Sequence, residues 1–221
     1  MRVFISRECL PGSLFYDRLN ARGYTVTGQS LLQLNPLPLR NIPAADWIFF
    51  ASGNAVRFFF ELPTEILPAT ATVQWAALGP ATAATLRTFI GKVDFEGDGR
   101  PESCAAAFAP LARGQTVLFP AAQHSQRSIQ KMLDDQIQAI DLALYANVPL
   151  PDIAPRTEAV LLFTSPMNAR AYFSKHARLP EQRIIAIGAS TAKALQELRV
   201  GAFEVSEFPD EESLAKMVLT F

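Results

Sequence analysis

Cysteine and histidine are scarce in this 221-residue chain, and neither positive nor negative charge predominates. Cys9 and Cys104 lie far apart without metal-type or redox spacing, so they are expected to be reduced thiols, buried or incidental. His124 and His176 have no cysteine or acidic pattern near them, and no zinc site is expected. Lys plus Arg number 20 against 21 Asp plus Glu, which leaves no basic field to hold a nucleic-acid backbone. No apolar run approaches the length of a membrane span. The opening "MRVFISR", charged at Arg2 and Arg7, follows neither a signal nor a transit pattern. A cytoplasmic protein with no membrane or nucleic-acid partner is expected. There is no GxxxxGK[ST] phosphate loop, and "GDGR" at 97–100 reads as a turn. "SIQK" from Ser128 and "SLAK" from Ser213 fit Ser-x-x-Lys but lack the companion motifs of that hydrolase class.

The chain does have ample apolar residues, 49%, and it repeats itself. "FASGNAVRFFF" at 50–60, laid on "FTSPMNARAYF" at 163–173, matches Phe50 with Phe163, Ser52 with Ser165, Arg57 with Arg170 and Phe60 with Phe173. "ALGPATAATL" at 77–86 agrees with "AIGASTAKAL" at 186–195 in five of ten positions, Gly79 falling on Gly188 and Thr82 on Thr191. The segments from Gly91 and Gly201 pair next, and "VFISR" echoes "VLFPA" in apolar pattern. An offset of roughly 110 residues is too long for a solenoid and suits a duplicated subdomain.

Each unit reads as a buried apolar strand, a Ser/Thr/Gly turn, and a helix with apolar residues at i, i+3 and i+4. Pro166 suits a first helical turn, and Gly91 and Gly201 are expected to end helices. Asp134 and Asp135 are placed on a helix, diverging as a solvated face. Continuous apolar strands alternating with helices imply parallel sheets covered on both faces, with about ten strands near Val3, Thr25 to Leu34, Trp47, Val73, Val93, Val117, Ile140, Val160, Ile184 and Phe203. "NPLPLRNIP" at 35–43 and "NVPLPDIAP" at 147–155 read as stiff connectors. The expected fold is α/β, with two flavodoxin-like domains, each a parallel sheet flanked by helices, joined by two strand-like connectors. Residues 1–34 plus 150–221 form one discontinuous domain, and 35–149, connectors included, form the other.

Open parallel sheets bind ligands at the carboxyl ends of their strands, where helix N-termini present N–H groups and partial positive charge. The residues at those ends are Ser6 and Arg7, Ser52 and Asn54, Gly79 and Thr82, His124 and Ser125, Thr164 and Ser165, and Gly188, Ser190 and Thr191. Such a set can receive carboxylates or phosphates without a cluster of lysines. Any one of these residues, taken alone, reads first as a simple helix cap. Use of these turns in both halves favours binding, in a cleft that the connectors would let open and close.

"VFISR", "FASGNAVRFF", "ALGPATAATL", "LYANVPLP", "LLFTSPMNARAYF" and "AIGASTAKAL" follow in the order and spacing of the uroporphyrinogen-III synthase family, which nearly the whole chain resembles. The resemblance implies a cytoplasmic, cofactor-free and metal-free lyase. It would convert hydroxymethylbilane into uroporphyrinogen III by losing water, closing the ring and inverting ring D through a spirocyclic intermediate. It implies substrate binding by Ser52, Ser165 and Thr191, with Gly79 and Thr82 as the related turn, to which the strand-end set adds Arg7, Asn54, Thr164, Gly188 and Ser190 as binding candidates; it also implies a proton-donating tyrosine at Tyr145, which can equally be an aromatic packed at a strand end. Ala51 stands where threonine is commoner, and "FPAAQHSQRS" lacks the basic glycine-containing turn often found there. A monomer is expected. The alternative is a non-catalytic binder of a tetrapyrrole or another small polyanion.

Overall fold

The computed structural model describes residues 1–69 and 73–220. The chain divides into two compact units: unit 1 is Met1–Gln33 with Val148–Phe221, and unit 2 is Leu34–Asn147.

Unit 1 carries a five-stranded sheet built from β1 (Arg2–Ile5), β2 (Thr25–Gly28), β9 (Val160–Phe163), β10 (Arg183–Ala186) and β11 (Glu204–Val205). The order is β11-β10-β9-β1-β2, and every neighbouring pair is parallel. Helices α1 (Leu14–Asn20), α6 (Pro166–Phe173), α7 (Ala189–Glu197) and α8 (Glu211–Leu219) accompany it. Alternation along the strands fills two core layers. Phe4, Leu161 and Phe163 enter one, while Val3, Ile5, Val160 and Leu162 enter the other.

Unit 2 repeats the design with β4 (Trp47–Phe50), β5 (Gln74–Ala77), β6 (Phe95–Glu96), β7 (Thr116–Ala122) and β8 (Gln138–Pro149), and β3 (Leu32–Pro36) at its edge. The order is β3-β8-β7-β4-β5-β6. Helices α2 (Gly53–Phe60), α3 (Pro80–Ile90), α4 (Pro101–Ala112) and α5 (Ser128–Met132) complete it. Trp47 and Phe49 face one core, Ile48 and Phe50 the other. All four residues of "WIFF" are buried, as are those of "VLLF" in β9, because helices cover both sheet faces.

Counted from β9 in unit 1 and from β4 in unit 2, the shared strands follow one order, 3-2-1-4-5 in each case. Thus β9, β10, β11, β1 and β2 correspond to β4, β5, β6, β7 and β8. This is the sequence repeat with the leading strand pair of each copy built into the other unit. The chain crosses between units within β3 and within β8, which are paired. Leu37 N donates to Leu144 O at 2.8 Å and Leu150 N to Leu31 O at 2.9 Å, so this pair is antiparallel.

Several local expectations are corrected. The described residues contain eleven strands, because the run from Thr25 to Leu34 breaks into β2 and β3. Asp134 and Asp135 lie in an exposed turn after α5. Gly91 does end α3, at φ 74°, a left-handed conformation that suits glycine. Gly201 does not end α7, which stops at Glu197 with Leu198 as its C-cap, and Arg199 takes the left-handed step at φ 55°.

Candidate functional site

In unit 1 the turns after β1 and β9 brace each other. Thr164 donates its amide to Ser6 Oγ at 2.8 Å and its hydroxyl to the Ser6 carbonyl at 3.2 Å, and Ser6 is fully buried. Strands β1 and β9 flank the point where strand order reverses, the usual crevice of such a sheet, and here hydrogen bonds close it. Arg7 is half-exposed and donates to Glu211 at 2.7 Å, while the other oxygen of Glu211 accepts from the Phe15 amide at 3.0 Å. Arg7 is therefore tied to α8.

Ser165 caps α6. Its Oγ accepts from Asn168 N at 3.2 Å and from Asn168 Nδ2 at 2.9 Å, and its own O–H remains free to donate to an acceptor. Asn168 Oδ1 accepts from Leu31 N at 2.7 Å, so this buried amide fixes the cap against the segment entering β3.

Gly188 precedes α7 in extended backbone, φ 179°, with nothing within 4 Å of where a Cβ would stand. Neither conformation nor packing demands glycine there, which leaves room for a ligand to approach the backbone. No side chain caps α7, so the amides of its first turn are available to an anion or water. Ser190 is exposed. Thr191 is fully buried, and its Oγ1 has no hydrogen-bond partner among the described residues.

The matching turn in unit 2 is different. A Cβ on Gly79 would meet Gly99 Cα at 2.6 Å and Gly99 N at 2.8 Å. Gly99 N donates to Leu78 O at 2.9 Å, which seats the "GDG" turn on this one. Glycine at 79 is thus required by packing, and the Cβ side that is open at Gly188 is occupied. Thr82 lies buried one turn into α3. Asp98 sits at the start of α4, and the Ser103 hydroxyl, then the Arg100 amide, hold its carboxyl below the usual range. A carboxylate already serves that helix end. Ser52 caps α2 by accepting from Ala55 N at 3.2 Å, and exposed Asn54 accepts from Arg57 at 3.4 Å.

Tyr145 is 6% exposed and lies flat on Phe58, with ring centroids 4.6 Å apart and planes 21° apart. It faces Ala122 across a register shift in the β7–β8 pairing. His176 contacts the Ile153 carbonyl through Nε2 at 2.6 Å, and His124 is exposed. Among the described residues no group of three or more His, Cys, Asp or Glu is placed to hold a metal ion. No helix in the described residues is long and apolar enough to cross a membrane.

Two side chains escaped the sequence reading. Asn168 holds the Ser165 cap from a helix position that the repeat gives to Ala55 in unit 2. Arg127, in a stretch noted only for lacking a basic turn, takes φ 55° and ψ 36° and pairs with Asp141 at 2.7 Å. Only the left-handed backbone at a non-glycine marks it, and no sequence pattern announces that.

The fold defines a two-unit α/β protein with flavodoxin-like halves, whose strand-end turns carry hydroxyls and uncapped amides. Similar proteins narrow the class. A family model described as Uroporphyrinogen-III synthase HemD matches residues 15–216. The chain belongs to the uroporphyrinogen-III synthase family, which consists of cyclising lyases of porphyrin and heme biosynthesis. It is similar to the uroporphyrinogen-III synthase of Chlorobaculum parvum, 26% identical over 98% of this chain and 97% of that one. In fold it is similar to uroporphyrinogen-III synthetase of Helicobacter pylori, with a TM-score of 0.68 at 23% identity over 100% of this chain and 99% of that one. A mutant uroporphyrinogen III synthase of Thermus thermophilus gives a TM-score of 0.53 at 18% identity, over 99% of this chain and 97% of that one.

Proposed function

We propose that this chain converts hydroxymethylbilane into uroporphyrinogen III, with loss of water, ring closure and inversion of ring D. The observation that carries this reading is the family match from residue 15 to residue 216, which spans both units and the duplicated turns at Ser52, Gly79, Ser165 and Gly188. The substrate carries eight carboxylates and cyclises unaided to the non-inverted isomer, so the protein's task is to hold geometry rather than to supply a strong acid or base.

The chain's own groups suit that task unequally. In unit 1 the Ser165 hydroxyl, the Ser190 hydroxyl and the uncapped amides after Gly188 are donors for carboxylates, with Thr191 and Thr164 supporting the turns. In unit 2 half-buried Ser52 and exposed Asn54 are the donors, while Gly79 and Thr82 belong to the turn that opens α3. Tyr145 is assigned the proton donated to the departing hydroxyl, a transfer that typically contributes about 10²–10⁴-fold. Its stack on Phe58 would hold the phenol in one orientation. Arg7 supports the reading least, because Glu211 already engages it. The reading takes the protein as a cytoplasmic monomer that needs neither metal nor cofactor. Adding it to fresh hydroxymethylbilane, then oxidising and separating the type I and type III isomers, tests the assignment: type III above the protein-free control supports it.

A further inference from the structure

The two units differ at the point where strand order reverses. In unit 1 Ser6 and Thr164 seal it, but in unit 2 the corresponding place, at the carboxyl ends of β4 and β7, holds a cleft of about 150 Å³. Its floor is apolar, made by Phe49, Leu78, Phe119 and Pro120, and the segment 125–130, which runs into the first turn of α5, forms a largely polar rim that includes Arg127. An apolar cavity of about 150 Å³ is large enough for a benzene ring. A flat five-membered ring therefore fits. Parallel sheets of this strand order bind their ligands at this crevice.

Arg127 supplies the charge. Its Nε engages Asp141 Oδ2 at 2.7 Å, and Gln130 Nε2 engages the other oxygen at 3.0 Å. Both Asp141 oxygens are thereby engaged, and neither terminal guanidinium nitrogen makes a hydrogen bond among the described residues. The residue holds a left-handed backbone that costs a side-chain-bearing residue energy, and its ion pair is half-exposed and weak. Packing alone gives little reason to keep arginine there. Terminal guanidinium nitrogens beside an apolar slot suit a ring that carries a carboxylate.

The geometry points to this unit 2 cleft as a subsite for one pyrrole ring of the substrate, with Arg127 receiving a carboxylate arm of that ring. This rests on the function proposed above, but its test does not use turnover. The probe is a monopyrrole bearing one acetate and one propionate arm, titrated into the full-length protein and followed by methyl and amide NMR. Saturable shifts confined to Leu78, Ile129 and their cleft neighbours are expected. The diamide of the probe, and Arg127→Gln with the acid probe, should bind at least fivefold more weakly. Ala51→Met, which fills the slot and leaves Arg127 in place, should abolish the shifts. Equal affinity for the acid, the diamide and the Arg127→Gln protein would overturn the inference, as would shifts scattered away from the cleft. Type III product without probe binding would sink the subsite alone, whereas probe binding without type III product would sink the reaction alone.

Discussion

Asn168 grips Ser165 through both of its nitrogens, at 3.2 and 2.9 Å, and uses its oxygen to fix Leu31 at 2.7 Å. One buried amide therefore sets the orientation of the proposed carboxylate donor and the position of the chain as it leaves unit 1. Asn168→Ala should leave Leu31 N unpaired and lower stability by about 1–3 kcal/mol. Ser165→Ala should lose a cap, about 0.5–2 kcal/mol. Both should reduce turnover only in part, because several donors share the carboxylates. Chemical denaturation alongside initial rates checks this. Full activity in Ser165→Ala would remove that hydroxyl from the site.

The duplicated glycines should respond in opposite ways. Gly79→Ala places a Cβ 2.6 Å from backbone at Gly99, so the "GDG" turn must shift, and the melting temperature should fall by several degrees. Gly188→Ala meets nothing within 4 Å and keeps an ordinary extended backbone, so stability should hold within about 0.5 kcal/mol. Its added methyl stands where the proposed ligand approaches, so KM should rise. Unchanged kinetics in Gly188→Ala would mean that the open turn faces only water.

Tyr145→Phe separates packing from proton donation. The stack on Phe58 survives loss of the hydroxyl, so the melting temperature should change little. The kcat for type III formation should drop at least tenfold if the phenol donates its proton, given the ~10²–10⁴-fold typical of such transfers. Wild-type kcat in this variant would leave the residue only its role in the core.

Stability should fall at both ends of the pH scale. Arg183 bonded to Glu204, Arg170 to Glu197 and Ser103 to Asp98 each hold a carboxyl below its ordinary value. The unfolded chain then binds more protons than the folded one, so this stability is present above the ordinary carboxylate range and is lost as pH falls through the lowered values. Burial pushes the Cys104 thiol from 9.0 up to about 11. The folded state keeps that proton longer, so stability should decline as pH rises above about 9. Thermal unfolding from pH 3 to 10.5 should show both limbs, and Cys104→Ser should flatten the alkaline one.

The fold class was legible because the same strand, hydroxyl turn and helix are spelled twice, and "WIFF" and "VLLF" can only be strands covered on both faces. The helix caps at Ser52 and Ser165 were legible for the same local reason. What stayed hidden depends on contacts between distant residues. The "GDG" turn seats itself on Gly79, Ser6 meets Thr164, and β3 pairs with β8. None of these leaves a periodic trace. The exchange of α7's glycine stop at Gly201 for a left-handed Arg199 was equally invisible, since arginine rarely takes that backbone.

The reaction itself is tested most directly by following type I and type III isomers over time at several protein concentrations, starting from fresh hydroxymethylbilane without added metal. The initial rate of type III formation should rise in proportion to protein while type I falls below its spontaneous level. Type I alone, formed at the protein-free rate whatever the concentration, would contradict the assignment.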